Sequence, residues 1–91
     1  MKCCSYKIGV IVEIMDSNDG RYKLITIGQD PKDIYTFTRL FVGNETLILN
    51  CEYNDIIVDD LKVGDFVLSY HSNVMTMSIP PQTSAYIIEV K

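Results

Sequence analysis

Apolar residues recur at every second position through most of this chain. From Tyr6 to Met15 the even positions Tyr6, Ile8, Val10, Val12 and Ile14 are apolar, while Lys7, Gly9 and Glu13 share the odd face with Ile11 and Met15. A period of two is the signature of a β-strand. Asp16-Ser17-Asn18-Asp19-Gly20 follows, rich in residues that tolerate positive φ, and leads into Tyr22–Gly28 with no room for a helix, which predicts a hairpin. After the break at Gln29-Asp30-Pro31-Lys32-Asp33, Ile34–Val42 is predicted as a third strand. In it Tyr35, Phe37 and Phe41 alternate with Thr36, Thr38 and Leu40, and the aromatic side is expected to face the core. Gly43-Asn44 then predicts a second hairpin turn into a strand over Glu45–Cys51, with Leu47, Leu49 and Cys51 on one face, so that the first four strands form a meander.

Farther along, Ile56-Ile57-Val58 precedes Asp59-Asp60-Leu61-Lys62-Val63-Gly64-Asp65, where Leu61 and Val63 are expected to plug one end of the core while Gly64 takes a turn conformation. Phe66–His71 resumes the alternation, with Phe66, Leu68 and Tyr70 on one side and Val67, Ser69 and His71 on the other. Pro80-Pro81 removes two backbone donors, so Ser72–Ser84 reads as a loop rather than a central strand. Tyr86, Ile88 and Val90 then form a last strand that pairs back and closes the sheet. The pattern predicts an all-β chain: one domain over residues 1–91, folded as a small five- to six-stranded antiparallel barrel of OB-fold-like type. An SH3-like barrel and a small β-sandwich are the alternatives.

Composition supports strands over helices. Twelve Ile, eight Val and six Tyr stand against a single Ala, and β-branched side chains lose rotamer freedom in a helix but pack well on a pleated sheet. The net charge of −4, with eight scattered Lys and Arg, disfavours nucleic acid and anionic membranes, which are bound through clustered cations. No stretch is apolar enough for a signal peptide or a membrane span, so a cytoplasmic location is expected. Cys3, Cys4 and Cys51 are odd in number and lack Cys-x-x-Cys spacing, which fits reduced thiols.

Motifs that carry catalysis are missing. There is one His, no phosphate-binding Gly-rich loop, no Gly-x-Ser-x-Gly and no His-Glu-x-x-His, and no cofactor signature is present. Asp59, Asp60 and Asp65 lack the spacing of a calcium loop and read as turn residues. His71, Met75 and Met77 with Cys3, Cys4 or Cys51 make the one soft-metal set that can be assembled, and packing roles explain the same residues. No metal site is assigned.

The most unusual stretch is Tyr70 to Thr83, which concentrates hydroxyls, an amide and two prolines between two strong strands. Loops carried on a rigid barrel often bind ligands. His71, Ser72, Met75, Thr76, Ser78, Pro80, Pro81 and Gln82 are therefore the candidate binding residues of a non-enzymatic module that contacts a peptide, a small ligand, a protein partner or a second copy of itself. A polyproline-like backbone here would leave carbonyls free to accept. Two other readings use the same chain. One is single-stranded nucleic acid stacked on Tyr35, Phe37 and Phe41. The other is a small hydrolase or metal enzyme built on His71 with Ser72, Ser78 or an Asp.

With Asp60-Leu61-Lys62-Val63-Gly64-Asp65 before it, the run His71, Ser72, Met75, Thr76, Ser78, Ile79, Pro80, Pro81 and Gln82 resembles a group of small bacterial β-barrel proteins of unknown function that share a His-Ser-x-x-Met-Thr-x-Ser-Ile-Pro-Pro-Gln pattern. The resemblance covers roughly the C-terminal third. It implies an OB-like barrel and brings no activity with it.

Overall fold

The structure, a computed structural model, describes residues 5–91. Six strands carry the chain: β1 (Ser5–Asp16), β2 (Lys23–Gly28), β3 (Phe37–Val42), β4 (Leu47–Leu49), β5 (Phe66–His71) and β6 (Gln82–Val90). The long β1 serves two partners. Its first half pairs antiparallel with β5, from Ser5 opposite His71 to Val10 opposite Phe66, and its second half with β2, from Val10 opposite Gly28 to Asp16 opposite Lys23. β2 pairs antiparallel with β3 and β5 with β6. A short parallel pairing of Arg39-Leu40-Phe41 with Gln82-Thr83-Ser84 then joins β3 to β6. The result is a closed five-stranded barrel plus one extra strand, β4, in an order consistent with a small OB-like barrel. Closure sets aside the sandwich.

The first hairpin forms as the pattern predicts. Ser17 Oγ donates to Asp19 Oδ1 at 2.7 Å and the Arg21 N–H donates to the same oxygen at 3.0 Å. Both bonds hold the Asp19 carboxyl below its usual range, the Ser17 bond being the larger cause. Gly20 completes the turn at φ 72°.

The second predicted hairpin does not form. β3 and β4 both run parallel to β6, against Gln82–Ser84 and Ile87–Glu89 respectively, so the chain keeps its direction through residues 43–46. Those residues make a jog: the Thr46 N–H donates to Gly43 O at 3.1 Å, and Thr46 Oγ1 donates to Ala85 O at 2.9 Å. Turn residues set a local bend, but only the available sheet edge decides whether the flanking strands pair, and here β6 offers that edge. The strand predicted over Ile34–Val42 begins three residues late, because Asp33 Oδ1 accepts from the Tyr35 N–H at 3.0 Å and winds Ile34–Thr36 into a 3-10 turn. The strand predicted over Glu45–Cys51 shrinks to three residues, because Asn50 Oδ1 accepts from the N–H groups of Glu52 and Asn54 and turns the chain away.

Faces also differ from expectation. On β3 the buried side chains are Thr38, Leu40 and Val42, so Phe37 and Phe41 lie on the outer surface, partly covered, and Tyr35 is exposed. On β1 Ile11 is buried on the odd side. A bulge between Ile11 and Glu13 then shifts the phase, so that Ile14 packs against the core. A second bulge, at Tyr86, carries β6 from Thr83 and Ala85 to Ile88 and Val90.

The core gathers Ile11, Ile25, Ile27, Leu40, Val67 and Ile88 with smaller contributors. Each fully buried Val, Leu or Ile contributes roughly 1.5–3 kcal/mol. Leu61 closes one end as expected, whereas Val63 is exposed, and Gly64 turns at φ 101°. Under residues 72–81 the interior becomes polar, with Thr38, His71 and Thr83 buried. Among the described residues no helix is long and apolar enough to cross a membrane.

Candidate functional site

The loop between β5 and β6 is held by its own side chains. At its base the Ser72 N–H donates to Ser84 O at 2.9 Å, and one step up the Thr76 N–H donates to Gln82 O at 3.0 Å. From there a one-way relay runs inside the loop. The Gln82 N–H donates to Thr76 Oγ1 at 2.9 Å, Thr76 Oγ1 meets Ser78 Oγ at 2.7 Å, and Ser78 Oγ donates to Pro80 O at 2.9 Å. Because Ser78 has a single hydroxyl proton and gives it to Pro80 O, Thr76 is the donor in the middle bond. Thr83 Oγ1, buried below, reaches the carbonyls of Val74 at 2.8 Å and Ser72 at 3.0 Å.

Ser72, Thr76, Ser78, Pro80 and Gln82 are thus brought together as a frame. The carbonyls of the proline pair are occupied rather than free, since Pro81 O accepts from the Arg39 N–H at 2.9 Å and Pro80 O from Ser78. Met75 is half-buried. What the frame presents outward is Val74, Met77 and Ile79, with Met77 fully exposed. None of the three is among the binding residues expected from sequence, where Met77 figures only in the soft-metal set and Ile79 only in the resemblance. The signal available was large apolar residues spaced along an otherwise polar loop.

His71 lies beneath, 1% exposed. Its Nδ1 is 2.8 Å from Ser72 O, and a carbonyl can only accept, so Nδ1 carries the proton. Nε2 is buried and has no hydrogen-bond partner among the described residues. Among the described residues no hydroxyl or carboxylate is hydrogen-bonded to Nε2; Ser72 Oγ accepts from the Val74 N–H, and Ser78 Oγ is taken up by the relay. Among the described residues no three His, Cys, Asp or Glu side chains converge as a metal site, and Cys51 is exposed. Cys3 and Cys4 lie outside the described residues.

The loop leans over the outer face of β2 and β3 and encloses a cleft of about 410 Å³. Ile79 and Pro80 form one wall, and Val12, Ile34 and Phe37 the other. Gly28 makes this wall possible, because a Cβ there would fall 2.6 Å from the Phe37 ring. On the floor Arg39 is steadied by Glu13 Oε1, 3.7 Å from Nη2, and by Thr26 Oγ1, which accepts from Nε at 3.3 Å. A second groove of about 760 Å³ lies between the first hairpin turn and the 43–46 jog, with Tyr22, Phe41 and Tyr86 along it. Tyr22 and Phe41 meet edge to face at 6.3 Å.

No family model matches the chain, and neither the curated proteins nor the solved structures include a match to it.

Proposed function

We propose that this protein is a non-enzymatic binding module that takes an extended peptide segment with an apolar side chain into the cleft between the Ser72–Pro81 loop and the β2–β3 face. The observation that carries this reading is the preorganised loop. Its hydroxyl relay and backbone bonds hold exposed Met77 and Ile79 in place before any ligand arrives, which lowers the ordering cost of binding. The apolar walls and the pair of half-buried Arg39 with exposed Glu13 match the usual makeup of a binding cleft, in which a few polar groups orient a largely apolar ligand. Fold-level analogy points the same way, since OB-type barrels bind across this face, flanked by the loops that correspond to residues 17–22 and 72–81.

A displayed library of short peptides, selected on the native protein and counter-screened on variants, tests the proposal. Peptides that bind the native chain are expected to lose at least about tenfold in affinity to Ile79→Asp and to Arg39→Gln, with unchanged circular dichroism. Ligands that bind Ile79→Asp as well as the native chain would place the contact elsewhere.

The outward placement of Phe37 and Phe41 beside Arg39 supports a second reading, in which bases of a single strand stack on this face. Arg39 is already neutralised by Glu13 and the chain is acidic, so little phosphate attraction remains. Fluorescence anisotropy with a labelled oligothymidylate at low salt is expected to show no saturable binding. Binding that falls steeply with added salt and disappears in Phe37→Ala would replace the peptide reading.

A further inference from the structure

On the side of the barrel away from the cleft, the outer face of the sheet is largely apolar. Tyr6, Ile8 and Val10 of β1 stand opposite Tyr70, Leu68 and Phe66 of β5, and since Ile11 and Val67 point into the core, these six point outward. The rings of Tyr6 and Tyr70 are 6.2 Å apart. Beyond them Ile87 pairs with Tyr70 on one side and with Leu47 of β4 on the other, and Leu49 follows. An antiparallel sheet with one face on the core ordinarily alternates apolar-in with polar-out. Here β1, β5 and β4 break that rule together, and β6 sets Ile87 and Glu89 between β5 and β4.

We infer that this face is where two copies of the chain meet, in a two-fold symmetric dimer. Size is the first reason. Tyr6 is 58% exposed, Phe66 47%, Leu47 42% and Ile8 37%. At about 150–250 Å² for a large side chain, these four alone leave on the order of 350 Å² uncovered. The half-buried members bring the face to roughly 500–600 Å², the upper end for an apolar patch on a monomer. Its rim at Tyr53 and Lys91 extends it toward the ~800 Å² per partner of a standard interface.

Charge is the second reason, and it selects the occupant. A two-fold contact sets a patch against itself, so any net charge on it would repel. The one acidic side chain within the face, Glu89 between Leu68 and Leu49, is balanced by the cation beside it: Lys91 Nζ donates to Glu89 Oε1 at 2.9 Å and lies 5.6 Å from the centre of the Tyr53 ring. The chain as a whole carries −4, so two copies repel in most orientations and approach best through a face whose charges balance. Among the described residues this face holds no free cation cluster with which an anionic partner or membrane could pair.

Sedimentation equilibrium on the full chain tests this inference. A dimer with a dissociation constant on the order of 10 μM or tighter is expected. Tyr6→Glu and Phe66→Glu, both at well-exposed positions that the fold tolerates, are each expected to raise that constant at least about 100-fold, because they bury an unpaired charge. Met77→Glu, on the opposite side, should leave it unchanged. A native chain that stays monomeric up to about 1 mM overturns the inference. So does a dimer that survives both face substitutions or is dissolved by Met77→Glu. A monomer that binds neutral lipid vesicles or a different protein through Phe66 would assign the face to that occupant instead. The inference is independent of the peptide cleft, and a monomer that still binds selected peptides removes this inference alone.

Discussion

A chain ending at Ala85 is expected to lose its cooperative unfolding transition. β6 is the strand on which the barrel closes: it pairs with β5 along one edge and with β3 and then β4 along the other. Removing residues 86–91 deletes Ile88, fully buried, and Val90, packed on the core. It also strips β4 of its only strand partner among the described residues and leaves Val67, Leu68, Ser69 and Tyr70 of β5 without their β6 partners. Burial of Ile88 is worth roughly 1.5–3 kcal/mol and the partly buried Val90 adds less, and the orphaned backbone groups add to the loss. A domain of this size has only about 5–15 kcal/mol to lose. Urea denaturation followed by far-UV circular dichroism checks this, and a truncated chain with a sigmoidal transition near that of the full chain would contradict the closure. Ile88→Ala provides the graded version, with an expected cost of about 2–5 kcal/mol.

Gly9→Val is the second large effect, and its sign separates two physical accounts. By strand propensity alone, replacing glycine with a β-branched residue in the middle of a strand stabilises. Sterics predict the reverse. Gly9 sits where β1 passes from β5 to β2, and a Cβ built there falls 2.8 Å from the carbonyl carbon and oxygen of Gly28 and 3.0 Å from its nitrogen. These are backbone atoms, so relief requires shifting β2 itself. Overpacking of this kind costs about 1–3 kcal/mol for a well-packed interior, and the rigid neighbour places Gly9→Val at the top of that range. A fall in Tm of more than about 10 °C is expected in a thermal melt. Unchanged or raised Tm would show that the strands slide apart freely at this crossing. Gly28→Ala makes a useful contrast, because there the obstacle is the movable Phe37 ring. It is expected to disturb the peptide cleft more than the fold.

Of the candidate site, the loop's start after His71 and its hydroxyl-rich framework were legible in the chain, because prolines and short polar side chains act on their nearest neighbours, whereas its predicted end at Ser84 falls inside β6, which begins at Gln82 as it pairs with Arg39 of β3. The cleft was not. It joins Val12, Thr26, Phe37 and Arg39 to Ile79 and Pro80 across three strands and a loop, and no local pattern encodes that juxtaposition. Phe37 and Phe41 show the same limit. Their spacing identifies one face of a strand, and the choice of Thr38, Leu40 and Val42 as the inner face was made by the pairing of β3 with β2 and β6.

By itself, the sequence determined the all-β class, the first hairpin, the approximate places of most strands and the closing role of the last one. These follow from period-two alternation, β-branched composition and residues suited to turns, all of which act within a few positions. Tertiary structure alone decided which face of β3 turned inward, that the chain ran straight on through Gly43-Asn44, and that two bulges shifted the inward phase of β1 and β6. It also left an apolar face uncovered on β1, β5, β6 and β4. Alternation marks two faces but not which one is buried, and when both are apolar only closure of the barrel can choose between them.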